Sequence, residues 1–209
     1  TMMKRDTLTR TTTHMFFLGD TWSLMGDTLK LDFGVKQAFV SRDLTNSLPG
    51  AANPQLTTHD AATLPQAGIN WRFAPQQQLF ASVGTSFRTT PNYSLMDSFS
   101  TSTGAITTYA TPDQKPERSV SLELGHRYQG DLFATSVSVF GTRYSDRQVS
   151  TKVLDDFGNS TTSYVNAGSV TSWGVEGEIG TRPLLGGFRP YVSAAYLKTK
   201  QREWDSYVS

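Results

Sequence analysis

Cysteine is absent from all 209 residues, which excludes disulfides, thiolate chemistry and cysteine metal sites from this chain. Long apolar runs are missing as well. The longest, Met15 to Leu18, is far short of the roughly 20 residues a transmembrane helix requires, so any membrane span has to be β. An excess of charge of one sign is also lacking: 19 basic residues stand against 18 acidic ones, a net charge of +1 that gives no attraction to nucleic acid. Even the apolar share is lean, 37% against the roughly 45–50% expected of a soluble globular chain. The N-terminal stretch TMMKRDTLTRTTTHMFF does not follow the basic, apolar, small-residue order of a secretory signal peptide. The expectation is a chain cut from a longer one.

Catalytic patterns are equally scarce. His14, His59 and His126 lie far apart with no metal-ligand spacing, and no nucleophile elbow or phosphate-binding glycine loop occurs. GVEGEIG has glycines at the wrong spacing for a dinucleotide fingerprint. The chain is therefore not expected to be an enzyme, and no cofactor or metal is implied. Residues 155–159, DDFGN, admit a loop turn or a calcium loop, the turn being the simpler reading.

What the chain does have is alternation. In KPERSVSLELGHRY, Val120, Leu122, Leu124 and Tyr128 alternate with Ser119, Ser121, Glu123, Gly125 and Arg127. Successive side chains of a β-strand point to opposite faces, so period two means one greasy face and one wet one. The same period returns along the chain and predicts strands at roughly 12–24, 28–42, 64–74, 78–88, 117–128, 132–147, 163–181 and 188–202. Between them, 43–63, 89–114 and 148–162 read as long polar loops, whereas 25–27, 75–77, 129–131 and 183–187 read as short turns. Long and short connections thus alternate. Outer-membrane barrels have this asymmetry, with short periplasmic turns and longer extracellular loops. Hydrocarbon offers no partner to backbone amides, so a spanning sheet has to close on itself. The fold class predicted is all-β, an antiparallel up-and-down transmembrane barrel with about eight strands in this chain.

Several strings, GDTWSLMGDTLKLDFGVK, LPQAGINWRFAPQQQLFASVGTSFRTTPNYSLM, KPERSVSLELGHRY, YVNAGSVTSWGVEGEIG and FRPYVSAAYLKTK, resemble in this order successive barrel strands of TonB-dependent outer-membrane receptors. FRTTPNYSLM, KPERS and NAGSVTSWGVEGE are the most specific, and the resemblance runs from about Phe16 to Lys200. It implies a 22-stranded barrel occluded by an N-terminal plug, importing ferric siderophores or similar scarce nutrients with energy from the TonB complex. No plug or TonB-box-like segment precedes the first strand, so the chain is expected to be a run of strands from the C-terminal half of the barrel. The partners implied are outer-membrane lipid, the plug of the parent chain and through it the TonB complex, and the nutrient, with no nucleic acid. The location implied is the bacterial outer membrane.

Within that frame Arg88, Glu123, Arg127, Glu176 and Glu178 are expected to face the lumen, because a lipid-facing basic residue costs roughly 2–4 kcal/mol near mid-bilayer. Such charges either solvate a polar lumen or pair with plug residues. Tyr93, Phe99 and Tyr109, in the second long loop, are candidates for an extracellular ligand pocket, with loop packing or an interfacial aromatic belt as the plainer alternative. Trp71, Trp173, Tyr128, Tyr191 and Tyr196 read as wall or girdle residues. Two other classes stay open at this point: a self-contained small barrel with a structural or adhesive role, and a secreted soluble β-sandwich, which the apolar faces of at least four strands disfavour.

Overall fold

The computed structural model describes residues 3–154, 160–166 and 168–202. Twelve strands run in the order β1 (Thr7–Leu24), β2 (Leu29–Asn46), β3 (Gln55–Ala74), β4 (Gln77–Arg88), β5 (Ser98–Phe99), β6 (Ile106–Thr108), β7 (Glu117–Gln129), β8 (Phe133–Ser145), β9 (Gln148–Leu154), β10 (Ser160–Asn166), β11 (Ser169–Thr181) and β12 (Tyr191–Arg202). Eight of them form one antiparallel sheet in the order β1-β2-β3-β4-β7-β8-β11-β12. Every neighbour in that sheet is also the next long strand in sequence, as an up-and-down meander requires. The sheet is open: β1 and β12 stand at its two edges and do not pair with each other among the described residues.

The register explains the alternation. Val120, Leu122 and Leu124 of β7 lie opposite Arg143, Gly141 and Val139 of β8 and opposite Thr85, Val83 and Ala81 of β4. Propagated through the ladders, this face carries Phe16, Leu18, Trp22, Phe33, Val35, Phe39, Ile69, Trp71, Leu79, Val137, Val175, Ile179, Val192 and Tyr196, all of them exposed. A continuous exposed apolar surface of this extent marks an interaction with something equally apolar, and its band-like form is that of a barrel's lipid side. At the short-turn end Trp22 meets Phe33 at 5.3 Å, Trp71 meets Phe73 at 5.6 Å and Tyr128 meets Phe133 at 5.1 Å between ring centroids. The turn from β1 to β2 is tight enough that Met25, Gly26 and Asp27 all adopt positive φ, a conformation that only the glycine takes without strain.

Several boundaries differ from the expectation, among them the 148–162 loop, where β9 occupies Gln148–Leu154. The first strand begins at Thr7 rather than near residue 12, and most of the 43–63 loop is strand, since β2 continues to Asn46 and β3 begins at Gln55. These strands rise beyond the apolar band, where polar side chains on both faces hide the period. The 163–181 segment is two strands, because β10 ends at Asn166 and β11 starts at Ser169. Gly168, at φ 54°, falls at that break, and β10 joins β5, β6 and β9 in a second, four-stranded sheet built wholly from the loops. Residues 155–159, the calcium-or-turn segment, lie outside the described residues.

Candidate functional site

The polar face of the large sheet and the loop layer above it together form a concave, polar region. On β7, residues of odd number lie on this face: Glu123 is opposite Ser82 and Phe140, and Arg127 is opposite Gln78 and Ser136. Glu176 is opposite Ser138 and Ala195, Glu178 opposite Ser136 and Ser193, and Arg88 opposite Glu117. All five charged residues singled out in the sequence therefore share one face. Four of them, Glu123, Arg127, Glu176 and Glu178, line a single concavity of about 470 Å³ near the short-turn end. Arg88 stands apart, at the long-loop end of β4.

Within this concavity the Arg127 guanidinium lies 4.1 Å from the centroid of the Phe80 ring, a cation–π contact. The ring in turn covers Gly125: a Cβ there would clash with Phe80 Cζ and meet the Val137 carbonyl oxygen at 2.8 Å. Glycine at 125 thus makes room for the ring that positions Arg127. Tyr191 Oη donates to Glu178 Oε2 at 2.7 Å and Ser138 Oγ to Glu176 Oε1 at 3.3 Å. Three carboxylates and one guanidinium share the concavity without an ion pair. A larger trough of about 980 Å³ adjoins it across the middle of the sheet, lined by Phe17, Thr21, Asp32, Gln66, Ser121, Glu123, Phe140 and Thr142 among others.

Above the long-loop end, residues 89–114 fold back onto the polar face of β2 and β3. Leu95 and Met96 are buried against Leu44, with Leu56 packed beside them, and burial of each such side chain stabilises by about 1.5–3 kcal/mol. Beside this apolar contact, Arg42 and Asp60 form the only ion pair among the described residues, at 3.2 Å, with side chains 4% and 13% exposed. The Arg42 guanidinium also donates to the Thr90 carbonyl oxygen and, at 3.1 Å, to Asn92 Oδ1. Asp97 closes the loop from inside, accepting from the backbone N–H groups of Ala52 and Ala110 at 2.8 Å each. The β9–β10 hairpin is tied in through Gln148 Nε2, which donates to Thr90 Oγ1 at 2.8 Å, and Asn166 Nδ2, which donates to the Lys115 and Asp146 carbonyls.

The three loop aromatics have different fates. Phe99 is buried in β5, only 6% exposed, so it packs the loop and offers no ring face to a ligand. Tyr93 and Tyr109 are exposed, and the Tyr93 ring packs, tilted by 58°, at 5.2 Å from that of Tyr164 in the neighbouring strand pair. The sequence reading missed Tyr164, Arg42, Asp60 and Asp97. Val40, Arg42, Leu44 and Asn46 do continue the period of the polar face of β2, but the signal is blurred because this polar face is covered and holds leucine as well as arginine. Among the described residues no group of His, Asp and Glu is placed to hold a metal ion. His126 lies on the apolar face, 3.2 Å from Gln77 Oε1 through Nε2.

A family model described as TonB dependent receptor-like, beta-barrel, matches residues 4–208. No curated protein sequence matches the chain. Among solved structures, the apoprotein form of the FrpB iron transporter from Neisseria meningitidis is similar with a TM-score of 0.70 and 19% identity over 92% of this chain and 26% of its own. The ferric yersiniabactin uptake receptor FyuA from Yersinia pestis gives 0.64 and 20% over 94% of this chain and 28% of its own. The siderophore receptor PirA from Pseudomonas aeruginosa gives 0.65 and 13% over 92% and 44%. The chain thus spans about a quarter to less than half of the structures it resembles.

Proposed function

Because the chain belongs to the TonB-dependent receptor β-barrel family, we propose that it supplies part of the wall and two extracellular loops of an outer-membrane receptor for a ferric siderophore or a comparable scarce nutrient. The family is one of outer-membrane transport receptors rather than enzymes. The observation that carries the proposal is the division of the sheet into an exposed apolar face and a polar face roofed by loop 89–116 and by β9 and β10. The first suits hydrocarbon; the second makes a polar passage with aromatic side chains at its mouth. Tyr93, Tyr109 and Tyr164 present rings there, and flat aromatic faces suit a bulky, partly apolar chelate.

In this role Arg88, Glu123, Arg127, Glu176 and Glu178 line the inside of the wall. A barrel of about 22 strands is too wide to be filled by its own side chains and holds a plugged lumen, so the troughs of the polar face receive the plug of the parent chain. Through that plug the TonB complex supplies energy. Nothing favours a self-contained small barrel, since among the described residues β1 and β12 are separate edges.

Deletion of the full-length gene tests the proposal. Growth under iron limitation and uptake of a panel of labelled ferric chelates are measured with and without TonB. Loss of uptake of one chelate, restored by the gene only when TonB is present, is expected. Unchanged uptake of every chelate and unchanged growth would sink the siderophore reading.

A further inference from the structure

The apolar face ends, toward the long loops, in a group of unbalanced basic side chains. Arg118 is the second residue of β7, and Arg143 lies diagonally from it on β8, opposite Val120. Arg143 is opposite Thr171 of β11, which is opposite Lys200 of β12, and Lys198 follows one pleat lower, opposite Trp173. All four are exposed. Diagonal neighbours on adjacent strands lie about 7–8 Å apart, and Arg143 and Lys200, two strands apart, about 10 Å. The group is therefore one patch.

No acid shares it. The cross-strand positions around the four are Phe87, Thr85, Val83, Val120, Leu122, Gly141, Ser145, Ser169, Thr171 and Trp173, and none of the four basic residues enters an ion pair among the described residues. The other half of the same face is built differently, for there Arg10 sits directly opposite Asp43. Placement along the strand is equally telling. From Arg118 to Tyr128 at the short-turn end is ten residues of β7, about 33 Å of strand. Tilted by some 35–45°, that spans close to the roughly 25 Å height of a barrel's apolar band. Arg118 thus lies at the outer edge of the hydrocarbon layer, at the level of the headgroups, where a basic residue costs little, and Lys198, in the row of Leu122, has a stem long enough to carry its ammonium up to that level.

We propose that Arg118, Arg143, Lys198 and Lys200 form a binding site on the outside of the wall for the phosphate groups of a phosphorylated lipid of the outer leaflet. Two planar guanidinium forks give directional pairs to phosphate oxygens, and two mobile ammonium groups complete the charge. Leu122 and Trp173, in the row of Lys198, and Tyr196 one pleat below it supply the apolar surface for the acyl chains. The proposal rests on the outer-membrane location of the family and is independent of the nutrient.

The test uses the full-length receptor in neutral detergent. A diphosphorylated glucosamine lipid, its dephosphorylated counterpart and inorganic phosphate are titrated separately, and bound lipid is read by native mass spectrometry. Retention of the diphosphorylated lipid alone is expected. Each charge removed should weaken it roughly fivefold, so that the Arg118→Gln, Arg143→Gln, Lys198→Gln, Lys200→Gln variant binds at least about a hundredfold more weakly, while Arg10→Gln binds unchanged. Heat-modifiable gel mobility reports folding. Should the fourfold variant fail to fold, Arg118→Gln, Arg143→Gln on the inner strands decides. Equal binding by wild type and variant, equal binding of the dephosphorylated lipid, or competition by inorganic phosphate at matching concentration overturns the proposal. So does a loss of barrel stability rather than of lipid on changing Lys198 and Lys200, which would make them partners of an adjoining strand.

Discussion

Replacing Arg42 with alanine removes the side chain that ties loop 89–114 to the polar face. Asp60 is then left with its carboxylate 13% exposed and no counter-charge, while the Thr90 carbonyl and Asn92 Oδ1 lose their donor. Breaking one partner of a buried pair costs about 3–5 kcal/mol. At 1.4 kcal/mol per factor of ten, local opening of the loop becomes more frequent by roughly two to three and a half powers of ten. Hydrogen exchange of the full-length receptor in detergent reads this directly. The amides of Leu95 and Thr111, which donate to Asn92 and Ser94 carbonyls, and of Ala110, which donates to Asp97 Oδ1, should exchange faster by that factor. Amides inside β7 and β8 should not change. The double variant Arg42→Met, Asp60→Leu should recover most of the protection, because it leaves no unpaired charge. Wild-type protection in Arg42→Ala, or a double variant as open as the two single changes combined, would refute the reasoning.

Other consequences concern single positions. Leu124→Arg, on the apolar face midway between the short-turn aromatics and the basic patch, should lower barrel stability by about 2–4 kcal/mol, whereas Ser121→Arg on the polar face should cost far less; the midpoint of heat-modification in each variant checks this. Gly125→Ala should displace the Phe80 ring and with it Arg127, at an overpacking cost of about 1–3 kcal/mol, which Phe80→Leu in the same chain should partly relieve, as thermal unfolding in detergent would show. Phe99→Ala should open the loop by about 3–5 kcal/mol, the range for a deleted core phenylalanine, and so raise proteolysis near residues 100–105. Tyr109→Ala should leave proteolysis unchanged and weaken chelate binding.

How much of this was legible depended on what each face of a strand meets. Val120, Leu122 and Leu124 against Ser121 and Glu123 read cleanly because β7 separates an apolar surface from a wet one over most of its length. Higher up, Arg42 and Leu44 occupy the same face and are both buried under the loop, so hydropathy no longer tracks orientation and the strand looked like loop. The common face of Arg88, Glu123, Arg127, Glu176 and Glu178 followed from parity alone. The convergence of four of them, and the separation of Arg88, depends on strand order and stagger, which period two does not encode. Phe99 and Tyr93 were indistinguishable in a Ser/Thr-rich stretch, since which aromatic turns inward is decided by the way the loop folds back, with Phe99 N–H on the Lys4 carbonyl and Phe99 paired with Ile106.

The most direct measurement is a cysteine scan of residues 119–124, spin-labelled in the full-length receptor within outer-membrane vesicles; the segment is free of native cysteine. Collision rates with oxygen and with a water-soluble relaxer are compared at each site. Labels at 120, 122 and 124 should favour oxygen and those at 119, 121 and 123 the aqueous reagent, with a strict period of two. Uniform access to the aqueous reagent, or no alternation between neighbours, would contradict a wall strand between lipid and a polar interior.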